Sequence, residues 1–294
     1  MKKENIDAQV YELYDEYCHS DMGRREFLKR AGAMSLLGGV SGLAMAKALL
    51  PDYAKAQTIS FTDERIKPTY VEYESPGGNS GKMRGYLVQP KGDGPFPSVL
   101  VVHENRGLNP YIEDVARRLA TVGFLALAPD ALSVVGGYPG NDDDGRAMQG
   151  KLDRDKIMID MKNGAKFLKD HKLSNGNLGV TGFCFGGGVS NYLAVEMGAD
   201  LKAAVPFYGS APDLAGVPNI KAALVIHYAE DDQRVNAMRE GYKKALEENN
   251  VTFEMHTYEG TNHGFHNNST PRYDEKAAKL AWERTIGAFK KHLV

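Results

Sequence analysis

Cysteine is almost missing from this chain: two residues, Cys18 and Cys184, in 294. A disulfide framework is thereby excluded as the source of stability, and the fold must rest on an apolar core. Charge of one sign is missing too. Lysine and arginine number 36 against 38 aspartates and glutamates, a formal charge of −2, with no basic stripe suited to nucleic acid. Long apolar runs are absent. Uncharged residues 31–46 are rich in glycine and alanine and fall short of the roughly 20 residues of a bilayer span, so no stable membrane anchor is expected. No haem, flavin, nucleotide or phosphate-loop motif occurs, and no cofactor is expected. No repeat or low-complexity linker divides the chain. What remains, 25% charged and 42% hydrophobic, is the balance of an ordinary globular α/β protein.

The first 56 residues stand apart. Gly23-Arg24-Arg25-Glu26-Phe27-Leu28-Lys29 is a twin-arginine pattern, with Gly23 where Ser or Thr is usual and a long polar leader before it. Residues 31–46 follow, and Ala54-Lys55-Ala56 offers an A-x-A cleavage site before Gln57. An amphipathic helix would explain part of this, but three signals in order favour a twin-arginine signal peptide over 1–56. The expectation is export of the folded chain by the twin-arginine machinery, cleavage near Ala56 and a periplasmic location. Eight basic and eight acidic residues leave with the leader, so 57–294 keeps its charge of −2. Those 238 residues suffice for one sizeable core and are too few for two comfortable domains. Cys18 leaves as well, and a lone Cys184 in an oxidising compartment is a liability unless buried or used.

Two β-rich runs, 70–74 and 84–89, flank a glycine-rich turn at 75–81 and read as a hairpin. Residues 98–103 and 124–128 are continuous apolar runs, the mark of strands buried on both faces. Between them 112–121 reads as a helix with Arg117 and Arg118 outward, ended by Gly123. Residues 131–145 end in Asn141-Asp142-Asp143-Asp144 and read as a solvated loop, lacking the further ligands of a calcium site. Helices are expected at 153–169, 189–197, 234–248 and 275–291, and strands at 178–180, 203–207, 222–227 and 252–258. This alternation implies an α/β fold: a mainly parallel central sheet with helices on both faces, and catalytic groups on loops at the strands' C-terminal ends.

One stretch organises the rest, Thr181-Gly182-Phe183-Cys184-Phe185-Gly186-Gly187-Gly188. A strand turning straight into a helix around G-x-C-x-G has the form of a nucleophile elbow, with Cys184 where serine more often sits. Side chains two residues to either side of such a nucleophile would strike the neighbouring strand and helix. The helix N-terminus beneath the sulfur favours a thiolate. A nucleophile of this kind needs a base, and the base an orienting carboxylate. His263 stands in a flexible loop after the last strand. Glu230-Asp231-Asp232 follow the strand before it, and the D-x-x-V run from Asp232 to Val235 favours Asp232, with Asp231 as the alternative. His266 completes an H-x-x-H with His263, but no third zinc ligand accompanies the pair.

From about Pro68 to Val294 the chain resembles the dienelactone hydrolase family, carboxymethylenebutenolidase-like α/β-hydrolases. The matching stretches are Val101-Val102-His103-Glu104-Asn105-Arg106-Gly107-Leu108-Asn109, Gly182-Phe183-Cys184-Phe185-Gly186-Gly187, Asp232 and His263-Gly264-Phe265. The resemblance implies that Cys184 attacks an ester or lactone carbonyl to form a thioester, with His263 as proton partner held by Asp232. It implies an oxyanion hole from the backbone N–H groups of Phe185 and Asn105. Glu104 matches a family glutamate that contacts the resting thiol and keeps it neutral until substrate arrives. Two arginines that grip the substrate carboxylate in well-known members are replaced: one position is Asn267, and the other falls in Ala131-Leu132-Ser133-Val134. Arg106, Arg146 and Arg154 are the substitutes on offer. Competing readings are a thioesterase or other acyl hydrolase on the same machinery, a binding protein on a degenerate hydrolase fold, and a redox thiol.

Overall fold

The computed structural model describes residues 6–20, 22–34, 41–79 and 81–294. Residues 35–40, inside the apolar part of the leader, and Ser80 of the hairpin turn lie outside the described residues. Three helices come first, α1 (Ala8–His19), α2 (Arg24–Gly32) and α3 (Gly42–Leu49). The antiparallel pair β1 (Ile66–Ser75) and β2 (Gly81–Pro90) follows, then β3 (Phe96–Val102), α4 (Pro110–Thr121), β4 (Leu125–Asp130), α5 (Asp142–Gln149) and α6 (Arg154–Lys169). The second half runs β5 (Ser174–Phe183), α7 (Phe185–Met197), β6 (Ala203–Phe207), β7 (Ala223–Asp231), α8 (Gln233–Asn236), α9 (Arg239–Glu248), β8 (Phe253–Asn262) and α10 (Glu275–Leu293).

The eight strands form one sheet in the order β1-β2-β4-β3-β5-β6-β7-β8. From β4 to β8 neighbours are parallel; only β1 and β2 run against theirs. Because β3, β4, β5, β6 and β7 are covered on both sides, their buried stretches are mostly apolar rather than alternating. On one face Val99, Val101, Ala126, Phe183, Val205 and Phe207 meet apolar residues of α4 and α10. On the other Leu100, Leu127, Val180, Ala204 and Ile226 meet α6, α7 and α9. The expected α/β-hydrolase architecture is present.

Several local expectations are corrected. Arg117 is buried, not outward: its Nε donates to the Ile59 carbonyl (2.7 Å), Nη1 donates to Tyr86 Oη (3.2 Å), and Asp114 lies 3.6 Å away. A guanidinium supplied with that many acceptors tolerates the interior. Arg118 lies over the Trp282 ring at 4.0 Å. The acidic stretch is no loop. Asn141 caps α5 through Asp144 N (2.9 Å), and three aspartates occupy the first turn, where the helix dipole favours negative charge. The single helix expected over 234–248 is two, α8 and α9.

The segment read as a leader is helical and has its own apolar cluster, in which Val10, Tyr14, Tyr17, Phe27, Ala31, Met45 and Leu49 meet. Tyr53 and Ala56, on the leader side of the boundary at 57, pack into the core of the sheet. No helix among the described residues is long and apolar enough to cross a membrane.

Two buried histidines make the fold acid-sensitive. His227 Nδ1 pairs with Tyr258 Oη (2.9 Å) and Nε2 with Thr285 Oγ1 (3.2 Å). His266 Nδ1 pairs with Tyr111 Oη (2.6 Å) and its ring stacks on Phe183. Burial holds both pKa values well below the ordinary range, with neighbouring positive groups adding to the effect. As pH falls through about 6.5 the unfolded chain takes up protons there that the folded chain refuses, so stability is lost by about 1.4 kcal/mol per pH unit per histidine. Urea unfolding of His266→Gln is expected to show a shallower fall between pH 7 and 5 than wild type, despite a lower stability at pH 7. Equal slopes would contradict the assignment.

Candidate active site

Every candidate group sits where a parallel strand ends. β5 delivers Cys184, β3 delivers Glu104 and Asn105, β7 delivers Asp232 and β8 delivers His263. At the elbow Cys184 has φ 56° and ψ −111°, a backbone conformation that L-residues rarely adopt. It is held there because its N–H donates to the Phe207 carbonyl (3.1 Å) and its own carbonyl accepts from Gly188 N (3.1 Å). The flanking glycines are required by contact. A Cβ on Gly182 would lie 2.2 Å from the Gly186 carbonyl oxygen, and one on Gly186 would lie 2.2 Å from that of Val102. Phe185 is the first residue of α7, where backbone N–H groups have no carbonyl one turn earlier to serve.

The three adjacent carboxylates separate by partner. Glu230 Oε2 accepts from Gly260 N (2.7 Å), Asp231 Oδ2 accepts from Asn262 Nδ2 (2.6 Å), and Asp232 Oδ2 lies 2.6 Å from His263 Nδ1. Asp232 also caps α8, its Oδ1 accepting from Val235 N (3.2 Å), which fixes the carboxylate plane. Cys184 acts electrostatically on the His263 ring as well. Burial alone would lower the pKa of His263; the Cys184 sulfur and the Asp232 carboxylate outweigh it and hold the ring above its ordinary value. Tyr208, directly after β6 with φ 37°, packs against the His263 ring at 4.9 Å between centroids.

Glu104 is buried, and burial pushes its pKa up; Arg106 opposes that shift and Cys184 reinforces it. Asn267 Nδ2 donates to Glu104 Oε2 (3.3 Å). His266 turns away from His263 into the aromatic core beside Tyr111. Among the described residues no group of three or more His, Cys, Asp or Glu is placed to hold a metal ion.

Cys184, Asn105 and Phe185 open on a cavity of about 590 Å³ whose walls include Met158, Tyr192 and Arg154. A second cavity of about 890 Å³ lies on the His263–Asp232 side, walled opposite by residues of α1. Arg234 borders both.

The model of the dienelactone hydrolase family matches residues 83–293, which takes in every strand from β3 to β8 and all the groups above. The chain belongs to the dienelactone hydrolase family. A second family model, YqhI-like, matches residues 1–35. An Escherichia coli (strain K12) protein, "Putative hydrolase fragment YghX", is 58% identical over 115 residues, 39% of this chain and 97% of that one. An Aquifex aeolicus (strain VF5) "Putative carboxymethylenebutenolidase" is 34% identical over 234 residues, 76% of this chain and 98% of that one. The crystal structure of a "Putative Dienelactone Hydrolase" from Klebsiella pneumoniae has a TM-score of 0.66 and 29% identity, covering 76% of this chain and 99% of that one.

Of the three arginines on offer as substitutes, Arg106 is buried in an ion pair with Asp142 (2.8 Å) and Arg146 lies over the Tyr17 ring (4.4 Å). Arg154 alone of the three lines the Cys184 cavity. Asn267 could be read in sequence only as a missing arginine, since its bond to Glu104 joins residues 163 positions apart. Arg234, two residues after Asp232 in the sequence, is a second arginine on the Cys184 cavity besides Arg154.

Proposed function

We propose that this hydrolase cleaves a carboxylic ester or lactone with Cys184, His263 and Asp232, by way of a thioester acyl-enzyme. The observation that carries the reading is the 2.6 Å pairing of Asp232 Oδ2 with His263 Nδ1, whose ring feels the sulfur of a cysteine on a strained elbow. His263 accepts the thiol proton as the sulfur attacks the carbonyl carbon. The carbonyl oxygen becomes an oxyanion, taken by the backbone N–H groups of Phe185 and Asn105. On collapse the C–O bond breaks and His263 returns its proton to the leaving alkoxide. Water, deprotonated by His263, then attacks the thioester, and the carboxylic acid leaves as the thiol is restored. Asp232 keeps the ring oriented and stabilises its charged form. Glu104, raised in pKa beside the sulfur, suits a group that holds the resting thiol neutral.

The cavity favours a small substrate with an apolar body, since Met158, Val189, Tyr192 and Val195 wall it while Arg154 supplies a cation. Hydrolysis of short p-nitrophenyl esters and of a dienelactone by the full chain, beside Cys184→Ala, tests the proposal; equal rates in the two proteins would end it.

Export is a separate proposal, supported by the Gly23–Lys29 pattern. Arg24 and Arg25 lie exposed on α2, where a receptor could reach them. The chain is then expected in the periplasmic fraction and in the cytosol once both arginines are replaced by lysine.

A further inference from the structure

We infer that the N-terminal helices are a working part of the catalytic site: a cap that pins the loop carrying the Asn105 backbone N–H and roofs the His263–Asp232 pair. The inference rests on the ester-hydrolase reading of that site.

The cap grips the loop after β3 directly. Asn105 Nδ2 donates to the Cys18 carbonyl at the end of α1 (2.9 Å). Next to it Arg106 is clamped between Asp142 Oδ2 (2.8 Å) and Cys18 Sγ (3.0 Å). A side chain bound at its tip restrains its own backbone, so the direction of the Asn105 N–H depends on where Cys18 sits. Oxyanion donors act by standing in place before charge develops, and small misplacements are costly.

The cap is itself anchored beside that loop. Tyr17 Oη donates to Asp143, while Arg146 covers the Tyr17 ring at 4.4 Å and Arg272 faces the Tyr14 ring at 4.8 Å. Arg106 and Arg272 are 6% and 4% exposed, so the cap buries two guanidiniums that belong to the catalytic domain. Uncapped, both would be left facing water with part of their partners gone.

Across the 890 Å³ cavity Tyr11 and Asp15 of α1 face His263, Asp232 and Arg272. His263 and Asp232 are 5% and 7% exposed with the cap in place. Among the described residues none of the cap lines the Cys184 cavity, so from that side the sulfur stays reachable. The cap is therefore a wall and not a plug. Its far end is tied down as well: Asn268 Nδ2 donates to the Lys55 carbonyl (3.0 Å), Tyr53 Oη donates to Asp142 (2.6 Å), and Ala56 is fully buried. Cleavage after Ala56 requires this segment to lift off first, and the inference is that the active protein retains it.

The test uses the full chain with two loosening variants. Tyr17→Ala removes the Asp143 bond, the Phe27 stacking and the Arg146 contact; Phe27→Ala acts wholly inside the cap's own cluster. Both should speed amide exchange in residues 8–19 and in 104–106 together. Both should lower kcat by about tenfold to a hundredfold with little change in KM. Tyr17→Phe, which keeps the ring contacts, should restore kcat to near wild type. Active protein isolated from cells should still carry the helices of residues 8–49, as peptide mass mapping would show.

Faster exchange in 8–19 with unchanged exchange in 104–106 and unchanged kcat would overturn the inference. A rise in kcat on loosening would overturn it too, because that is the behaviour of a plug. So would active protein beginning at Gln57. If the full chain hydrolyses no ester at all, the ester-hydrolase reading fails instead, and the exchange experiment still decides whether α1 holds the 104–106 loop.

Discussion

Cys184→Ala is expected to bring ester hydrolysis down by about 10⁴-fold or more in kcat/KM, a loss of some 5 kcal/mol of transition-state stabilisation. His263→Ala should cost about as much, and the double variant no more than either alone, because nucleophile and base act as one unit. Asp232→Asn should fall about 10²–10⁴-fold. Asp231→Asn and Glu230→Gln should stay within several-fold of wild type, since their carboxylates serve Asn262 and Gly260 rather than the ring. The acid limb of the pH profile gives a second check on the same pair. A general base works in its neutral form, so activity rises as pH passes the pKa of His263. The Asp232 carboxylate is among the groups that raise that pKa. Its replacement by an amide should therefore move the limb to lower pH while lowering the plateau. An Asp231→Asn enzyme as damaged as Asp232→Asn would show that the orienting acid has been misassigned.

The alternation of buried strands and amphipathic helices was legible because parallel strands covered on both faces read as short, near-continuous apolar runs, bounded here by turn residues. The positions of Cys184 and His263 at strand ends were legible for a different reason: one lies in a glycine pattern suited to a tight strand–helix turn, the other in a loop after the last strand. Partners across long sequence distance left no such trace. The pairing of Asn267 with Glu104 depends on how loops meet in space, whereas the D-x-x-V run already favoured Asp232 and left Asp231 open until the contact with His263 was seen. Arg117 was misplaced because helical periodicity says nothing of a carbonyl such as that of Ile59 arriving from another segment. The aspartates of 142–144 looked like solvent-facing loop, yet negative charge is also what a helix N-terminus prefers, and here it begins α5. In α1 the spacing of Val10, Leu13, Tyr14 and Tyr17 was the one local sign of a packed helical face.

Gly186→Ala is expected to be strongly damaging, and Gly287→Ala, the same single-methyl change, stabilising. At 186 the added Cβ would stand 2.2 Å from the Val102 carbonyl oxygen and 2.7 Å from that of His103. Both neighbours are backbone, so no side chain can turn aside; α7 and the end of β3 must move apart by about an ångström, against packing that resists such shifts. A loss of about 3 kcal/mol follows, which in a domain of this size lowers Tm by roughly 6–12 °C. The displacement also bears on function, because the residues next after His103 are Glu104 and Asn105, and the elbow stands two residues before Gly186. Whatever fraction folds should therefore be slow as well as unstable. Gly287 lies in the interior of α10 with nothing within 4 Å of its would-be Cβ. There the methyl only restricts the unfolded chain and favours helix, a gain of about 0.5–1 kcal/mol. Thermal unfolding of the two variants beside wild type separates the effects, since the same chemical change must act with opposite sign. A Gly186→Ala protein that melts within a degree of wild type and keeps its kcat would mean that α7 does not approach β3 as closely as the elbow requires.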